Sequence, residues 1–239
     1  MSLKNKKVII AGLNKDVGPA MAYFILKNGG EVCINSRSEN SLIRIKAMLS
    51  DYGKIEYVTG EPSSYEKALE IINKCVRLLG GLDHLIINFG SGTEDSIEDP
   101  RGLNEMIETY LYNPIYLVRA ALQHLKSGSS IIFLIPIFSI EKPSPDRLSH
   151  SITTASLSKL VEVLAQELLY REIRVVGIAY GDIDPGFVPG RNWKSLRKLG
   201  SPSAPPEDYA SIATTLLSED LEWINGTVII ADGGFRLRR

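Results

Sequence analysis

Lys6-Lys7-Val8-Ile9-Ile10-Ala11-Gly12-Leu13-Asn14-Lys15-Asp16-Val17-Gly18-Pro19-Ala20 decides the reading of this chain. An apolar run ends at Gly12, polar residues follow, and Gly18 opens an amphipathic segment. That order predicts a strand, a tight turn and a helix. Such a turn aims backbone N–H groups and the positive end of a helix at one point, a suitable seat for a pyrophosphate. Gly12, Asn14, Lys15, Val17 and Gly18 are the residues of this stretch that would lie against a nucleotide.

Six further strand-like runs follow, at 31–35, 55–58, 84–88, 131–135, 175–179 and 227–231. Most are continuous in Ile, Val and Leu, as strands buried on both faces are. Helical stripes fall between them. Val17, Met21, Phe24 and Ile25 share one face. Tyr65, Leu69, Ile72, Val76 and Leu79 make a second, and Leu157, Leu160, Val161, Leu164 and Leu168 a third. The alternation predicts an α/β fold: a doubly wound, seven-stranded parallel sheet with helices on both faces. No repeat or linker divides residues 1–239, so one domain is expected. Two loops break the rhythm, at 136–145 and 181–206, where ligands sit in folds of this kind.

Composition narrows the function. The net charge of −1 gives no general attraction for nucleic acid or for an acidic membrane. No apolar run is long enough to span a bilayer, and residues 1–7 lack the apolar core of a signal peptide. The two cysteines, Cys33 and Cys75, form no CxxC pair, which fits a reduced, cytoplasmic setting. His84, His124 and His150 have no ligand-like spacing, so no metal site is expected.

Several motifs together resemble the short-chain dehydrogenases/reductases, NAD(P)-dependent oxidoreductases on a Rossmann fold. Gly12 and Gly18 match the outer glycines of that family's TGxxxGxG turn. Gly81 to Gly90, ending Ile87-Asn88-Phe89-Gly90, resembles its strand ending in NNAG. Leu117 to Leu122 resembles its fourth helix. Ala165 to Leu168, followed by Ile173-Arg174-Val175, resembles its fifth helix and sixth strand. Ile224-Asn225-Gly226-Thr227 through Asp232-Gly233-Gly234-Phe235 resembles its ending. The likeness covers nearly the whole chain and implies an NADP(H) cofactor and a small-molecule ligand. It also implies a homodimer or homotetramer formed through the fourth and fifth helices and the last strand.

The resemblance fails at the chemistry. The family uses a Tyr and a Lys one turn apart on the fifth helix, a Ser before them and an Asn in the fourth helix. Gapless placement puts His150 in the Tyr position and Thr154 in the Lys position. Ile137 takes the Ser position, with Ser139 two residues on, and Tyr110 takes the Asn position. His150 is either an imidazole in place of the phenol or a polar residue near a helix start. Pro114 removes the helical partner of the Tyr110 carbonyl, which gives either a kink or the interruption that the family uses to hold a water.

The cofactor residues are mixed. Lys15 and Arg37 stand where NADP-preferring members place cations against the 2′-phosphate; otherwise they are solvated charges. Asn88 and Gly90 end the fourth strand beside the turn. Asp16 replaces the middle glycine and is expected to cap the helix and face the anion site. Pro19 removes a further donor, and Phe89 is positioned to cover the adenosine groove. Pro185 replaces a Thr, and Tyr180 replaces a Pro. The loop 191–198 carries Arg191, Lys194, Arg197 and Lys198 around Trp193. It reads as a basic substrate lid with Arg191, Lys194 and Lys198 on one helical face, or as a solvated face over one buried Trp. Two functional readings follow: an NADP(H)-dependent oxidoreductase of non-standard mechanism, or a catalytically silent ligand-binding or oligomer-partner subunit of the same fold.

Overall fold

In a computed structural model, the structure describes residues 2–13, 16–141 and 145–238. Asn14 and Lys15 lie outside the described residues. Seven strands form one parallel sheet: β1 (Lys7–Ala11), β2 (Glu31–Ser36), β3 (Ile55–Thr59), β4 (His84–Ile87), β5 (Ser130–Pro136), β6 (Arg174–Tyr180) and β9 (Val228–Ala231). Their order is β3-β2-β1-β4-β5-β6-β9, so the winding reverses between β1 and β4. The crevice at that reversal is where open α/β sheets bind ligands.

Alternation along each strand builds a core on each face. Val8 and Ile10 point to one side, with Ala20, Met21 and Ile25 of α1 (Val17–Lys27). That side also holds α2 (Glu39–Leu49) and α7 (Pro206–Leu216). Ile9 and Ala11 point to the other, with α3 (Tyr65–Leu79), α5 (Asn113–Ala121) and α6 (Leu148–Glu167). Every residue of β5 and β6 is buried, which explains why no polar side chain interrupts 131–135 or 175–179.

Local chemistry sets the helix ends. Ser64 accepts the Lys67 N–H at 3.3 Å to start α3, and Gly80 at φ 77° stops it with its N–H on the Val76 carbonyl. The buried stripe of α3 is Ala68, Ile71, Ile72, Cys75 and Leu79, rotated from the expected one. Leu69 and Val76 are only partly covered, because the small Ala68 and Cys75 allow the closest approach to the sheet.

Three local expectations are corrected. The segment before Pro114 is a π turn, Glu108–Tyr112, between α4 (Leu103–Ile107) and α5, rather than a simple kink. The Asn113 N–H reaches back five residues to the Glu108 carbonyl, which widens the turn directly before Pro114. The two cysteines are joined: Cys33 on β2 and Cys75 on α3 form a disulfide with a Cα–Cα distance of 5.7 Å. They meet because α3 packs over β2, which the 42-residue separation hid. The reduced pair expected from the missing CxxC motif is therefore not what the fold contains. The loop 191–198 forms one 3₁₀ turn, Trp193–Ser195, so its cations share no helical face. Trp193 is half-buried against Phe24, and the two short strands β7 (Asp182–Ile183) and β8 (Ser203–Ala204) pair at the base of the region.

Candidate functional site

The turn after β1 opens on a cleft of about 620 Å³ between the carboxyl ends of β1, β2 and β4. Gly12 is essential there. Its φ is +84°, and a Cβ on it would stand 2.6 Å from the Asn88 carbonyl oxygen. Gly18 is also tight, since a Cβ would meet the Leu13 side chain at 2.7 Å. Val17 and Gly18 are buried beneath the turn. Asn88 is fully buried beside Gly18, and neither polar atom of its amide has a hydrogen-bond partner among the described residues. Gly90 lines the cleft, and so does Phe89, whose ring rests on Gly12 at the wall. The groove that Phe89 was expected to cover is therefore open.

At the far end Ser36, Arg37, Ser38, Ser41 and Arg44 converge. Arg37 is exposed and sits 3.5 Å from Glu61, which lines the same cleft. Ser38 caps α2 by accepting the Ser41 N–H at 3.3 Å. Two guanidiniums and three hydroxyls at a helix start make a good polyanion seat. Arg44 escaped the sequence reading because it stands on α2, well after the loop where a phosphate contact is sought.

Asp16 does not cap α1. Its carboxylate accepts the Gly186 N–H at 2.6 Å, across the cleft mouth. Arg191 donates to the Gly186 carbonyl and holds Glu207 in a two-point pair at 2.6 and 2.8 Å. Glu207 is only 1% exposed, so this pair anchors the 184–191 loop to α7. The cap was lost because the loop offers Asp16 a donor with better reach than its own helix.

A second cleft, of about 400 Å³, joins the first at Gly90 and Ser91. Its walls include Tyr110, Phe138, Arg147, His150, Tyr180 and Asp182. His150 is 7% exposed, and its ring stands edge-on to Tyr110 with centroids 5.4 Å apart. Burial, and then the Arg147 charge, push the imidazole below its ordinary pKa; Asp95 opposes this. The ring is therefore mainly neutral at pH 7. Tyr110 donates its hydroxyl to the Ser91 carbonyl at 2.5 Å and accepts the Ser91 N–H at 2.9 Å. Burial raises that phenol to about 12. Both hydrogen-bonding directions of the hydroxyl are spent on the loop.

Ser139 does not line this cleft. It lies on a 3₁₀ turn, 137–139, with its hydroxyl against that of Thr154. Thr154 is buried and donates to the His150 carbonyl at 2.6 Å. The two neutral hydroxyls thus pair with each other behind the second cleft. Among the remaining histidines, His84 Nδ1 accepts the Ser130 N–H at 3.2 Å, and His124 pairs with Asn73 at 2.8 Å. The charges of the 191–198 loop are partly neutralised by Arg191–Glu207 and by Arg197–Asp208 at 2.7 Å.

Comparisons with known proteins bear on the family and the fold. The family model described as "Enoyl-(Acyl carrier protein) reductase" matches residues 12–236. A glucose 1-dehydrogenase of Gluconobacter oxydans is 28% identical, over 97% of this chain and 92% of its own length. A short-chain dehydrogenase of Burkholderia cenocepacia, solved in complex with NADP, superposes with a TM-score of 0.85 at 20% identity, covering 98% of each chain. A short-chain oxidoreductase of Pseudomonas aeruginosa, described as containing an atypical catalytic center, superposes at 0.88 with 19% identity over 100% of both chains.

Proposed function

The chain belongs to the short-chain dehydrogenase/reductase family of oxidoreductases, and from that premise we propose that it binds NADP(H) and interconverts a small hydroxyl compound with its carbonyl form. The observation that carries this reading is the continuity of the two clefts at Gly90 and Ser91, with His150 in the wall of the second. The residues of the first cleft fit a dinucleotide. Gly12 leaves the close backbone approach that a pyrophosphate needs, and the partnerless Asn88 amide lies directly under the turn. Arg37, Ser38, Ser41 and Arg44 would hold a 2′-phosphate. Of the residues the sequence points to, Gly12, Arg37 and Gly90 line that cleft. Val17, Gly18 and Asn88 support it from below.

When bound, the nicotinamide dinucleotide supplies or accepts the hydride. The protein's part is the proton. A neutral imidazole beside the substrate is a base before it is an acid. His150 takes the hydroxyl proton as the carbonyl forms, and in the reverse direction the protonated ring returns it. Tyr110 is not a proton donor in this scheme, since its phenol titrates far above neutrality and is clasped to Ser91. It fixes the cleft wall and holds the reacting ring in a perpendicular, edge-to-face contact. Ser139 and Thr154 bring only neutral hydroxyls to the helix floor behind His150, and the nearby charge is that of Arg147 in the cleft wall.

Two specific features favour the second reading, a silent ligand-binding subunit. The Asp16–Gly186 bond crosses the mouth of the first cleft, and Thr154 stands where a Lys would tune the acid. The family's usual assembly is proposed for either reading. Tyr112 at the end of the π turn, Ile115 on α5, and Ile152 and Val163 on α6 expose apolar surface on the helices expected to pair.

The deciding experiment is a steady-state assay of NADP⁺ reduction over a panel of small alcohols, with wild type and His150→Gln. Turnover that disappears in the variant supports the oxidoreductase. NADPH binding without turnover in either protein supports the silent subunit.

A further inference from the structure

Asp95 is a buried carboxylate that the proposed reaction does not use. It lies in the loop between β4 and α4 and is 7% exposed. Its Oδ1 accepts the Ser149 N–H at 3.0 Å, and its Oδ2 accepts the Ser149 hydroxyl at 2.5 Å and the Gly102 N–H at 3.1 Å. Its backbone joins in as well: the Asp95 N–H donates to Asp146, and the Asp95 carbonyl accepts the Leu148 N–H. Arg147 at the start of α6 makes no capping bond with its own side chain. Asp95 supplies the cap instead, from 54 residues away in sequence.

Two helix starts therefore converge on one carboxylate. Gly102 begins the segment that runs through α4 into the π turn bearing Tyr110. Ser149 is the residue directly before His150. The same loop is held at its other end, where Tyr110 clasps both backbone groups of Ser91 and the Ser91 hydroxyl donates to Glu105 at 2.9 Å. The wall Ser91–Glu94 and the two rings of the second cleft thus form one hydrogen-bonded frame.

We infer that Asp95 is a positioning residue: through Ser149 it fixes the start of α6, and so sets where the His150 ring stands against Tyr110 and the second cleft. This rests on the reading of His150 as the proton-transfer group. The Ser149 hydroxyl holds the Asp95 carboxyl below the usual carboxylate range, so the cap stays ionised throughout the neutral region.

The test uses the full chain with Asp95→Ala, Asp95→Asn and Ser149→Ala. Four quantities are read: NADPH affinity by titration, kcat and KM for the alcohol oxidised, and the His150 side-chain signals in a nitrogen–proton correlation spectrum. Asp95→Ala is expected to lower kcat about tenfold, as small displacements of a reacting group do, with NADPH affinity and KM within twofold of wild type. The His150 signals should shift, and Asp95→Asn, which retains one acceptor, should lie between the two. Ser149→Ala should show the same pattern more weakly, and it decides the matter if Asp95→Ala fails to fold. The inference is overturned if kcat and the His150 signals are unchanged in Asp95→Ala. It is also overturned if NADPH affinity falls in parallel with kcat, since that marks general loosening. If the wild type turns nothing over, the oxidoreductase reading fails, and the His150 spectra alone decide whether Asp95 holds that ring.

Discussion

Asp16 offers the sharpest perturbation, because it stands in the turn after β1 and spends its charge on a neighbouring loop. Its carboxylate accepts the Gly186 N–H at 2.6 Å, the length of a strong charge-assisted bond. Hydrogen bonds to charged groups contribute roughly 1.5–3 kcal/mol when well shielded, and this one, at an exposed site, sits at or below the lower limit. A dinucleotide entering the cleft must break that bond and accept a carboxylate close to its own phosphates. Releasing about 1.4 kcal/mol corresponds to a tenfold change in affinity. Asp16→Ala removes both acceptor and charge, and should tighten NADPH binding about tenfold. Asp16→Asn removes the charge but keeps an acceptor for Gly186, and should recover only part of that gain. Isothermal titration calorimetry with NADPH reads both directly. Arg191 and Glu207 keep the loop anchored to α7 in each variant, so the loop itself should stay in place. Unchanged affinity in Asp16→Ala would refute the competition argument. Weaker affinity would reverse it, by showing that the bond shapes the cleft for its ligand.

Other expectations follow from the same structure. Removing Arg44 should weaken NADPH binding by about fivefold while leaving NADH nearly unaffected, as befits one cation facing an added phosphate; equal losses for both would move Arg44 out of that role. Burial lowers His84 from 6.5 to about 4. The folded state therefore prefers the neutral ring, so this contribution is whole above pH 6.5 and disappears as pH falls through 4. At 1.36 kcal/mol per pH unit the gap amounts to about 3 kcal/mol. Thermal melts from pH 7.5 to 4 should show that loss, and His84→Gln should flatten it. The Cys33–Cys75 link closes a loop of 42 residues, which the chain-entropy relation values at about 4 kcal/mol. Melts of the oxidised and fully reduced protein should differ by roughly 8–16 °C, and thiol titration in denaturant without reductant should find no free cysteine.

What the sequence made legible was what depends on neighbours along the chain. Most of the seven sheet strands announced themselves by a continuous apolar run, and Gly12 by the turn it had to make. Long-range pairings left no local mark. Nothing near Asp95 signals that it will cap a helix 54 residues on, and nothing near Cys33 points to Cys75. Asp16 was misjudged for the same reason: its own helix was the visible partner, and Gly186, 170 residues away, was not. Pro114 showed that a carbonyl would lose its donor, but the widening into a π turn depends on how α4 and α5 pack. Ser139 was expected beside the reacting group, yet the 3₁₀ turn after β5 directs it at Thr154.

The central claim is that a neutral His150 handles the proton in this site. The pH dependence of kcat/KM for alcohol oxidation with NADP⁺, in wild type and His150→Gln, tests it most directly. The wild-type profile should rise with loss of one proton and level off, with a midpoint below 6.5, the side to which burial moves the ring. His150→Gln should lose the rise and fall at least a hundredfold in rate, the lower range for removal of a general base. A variant as fast as wild type, or a wild-type profile that climbs only above pH 8, would contradict the account.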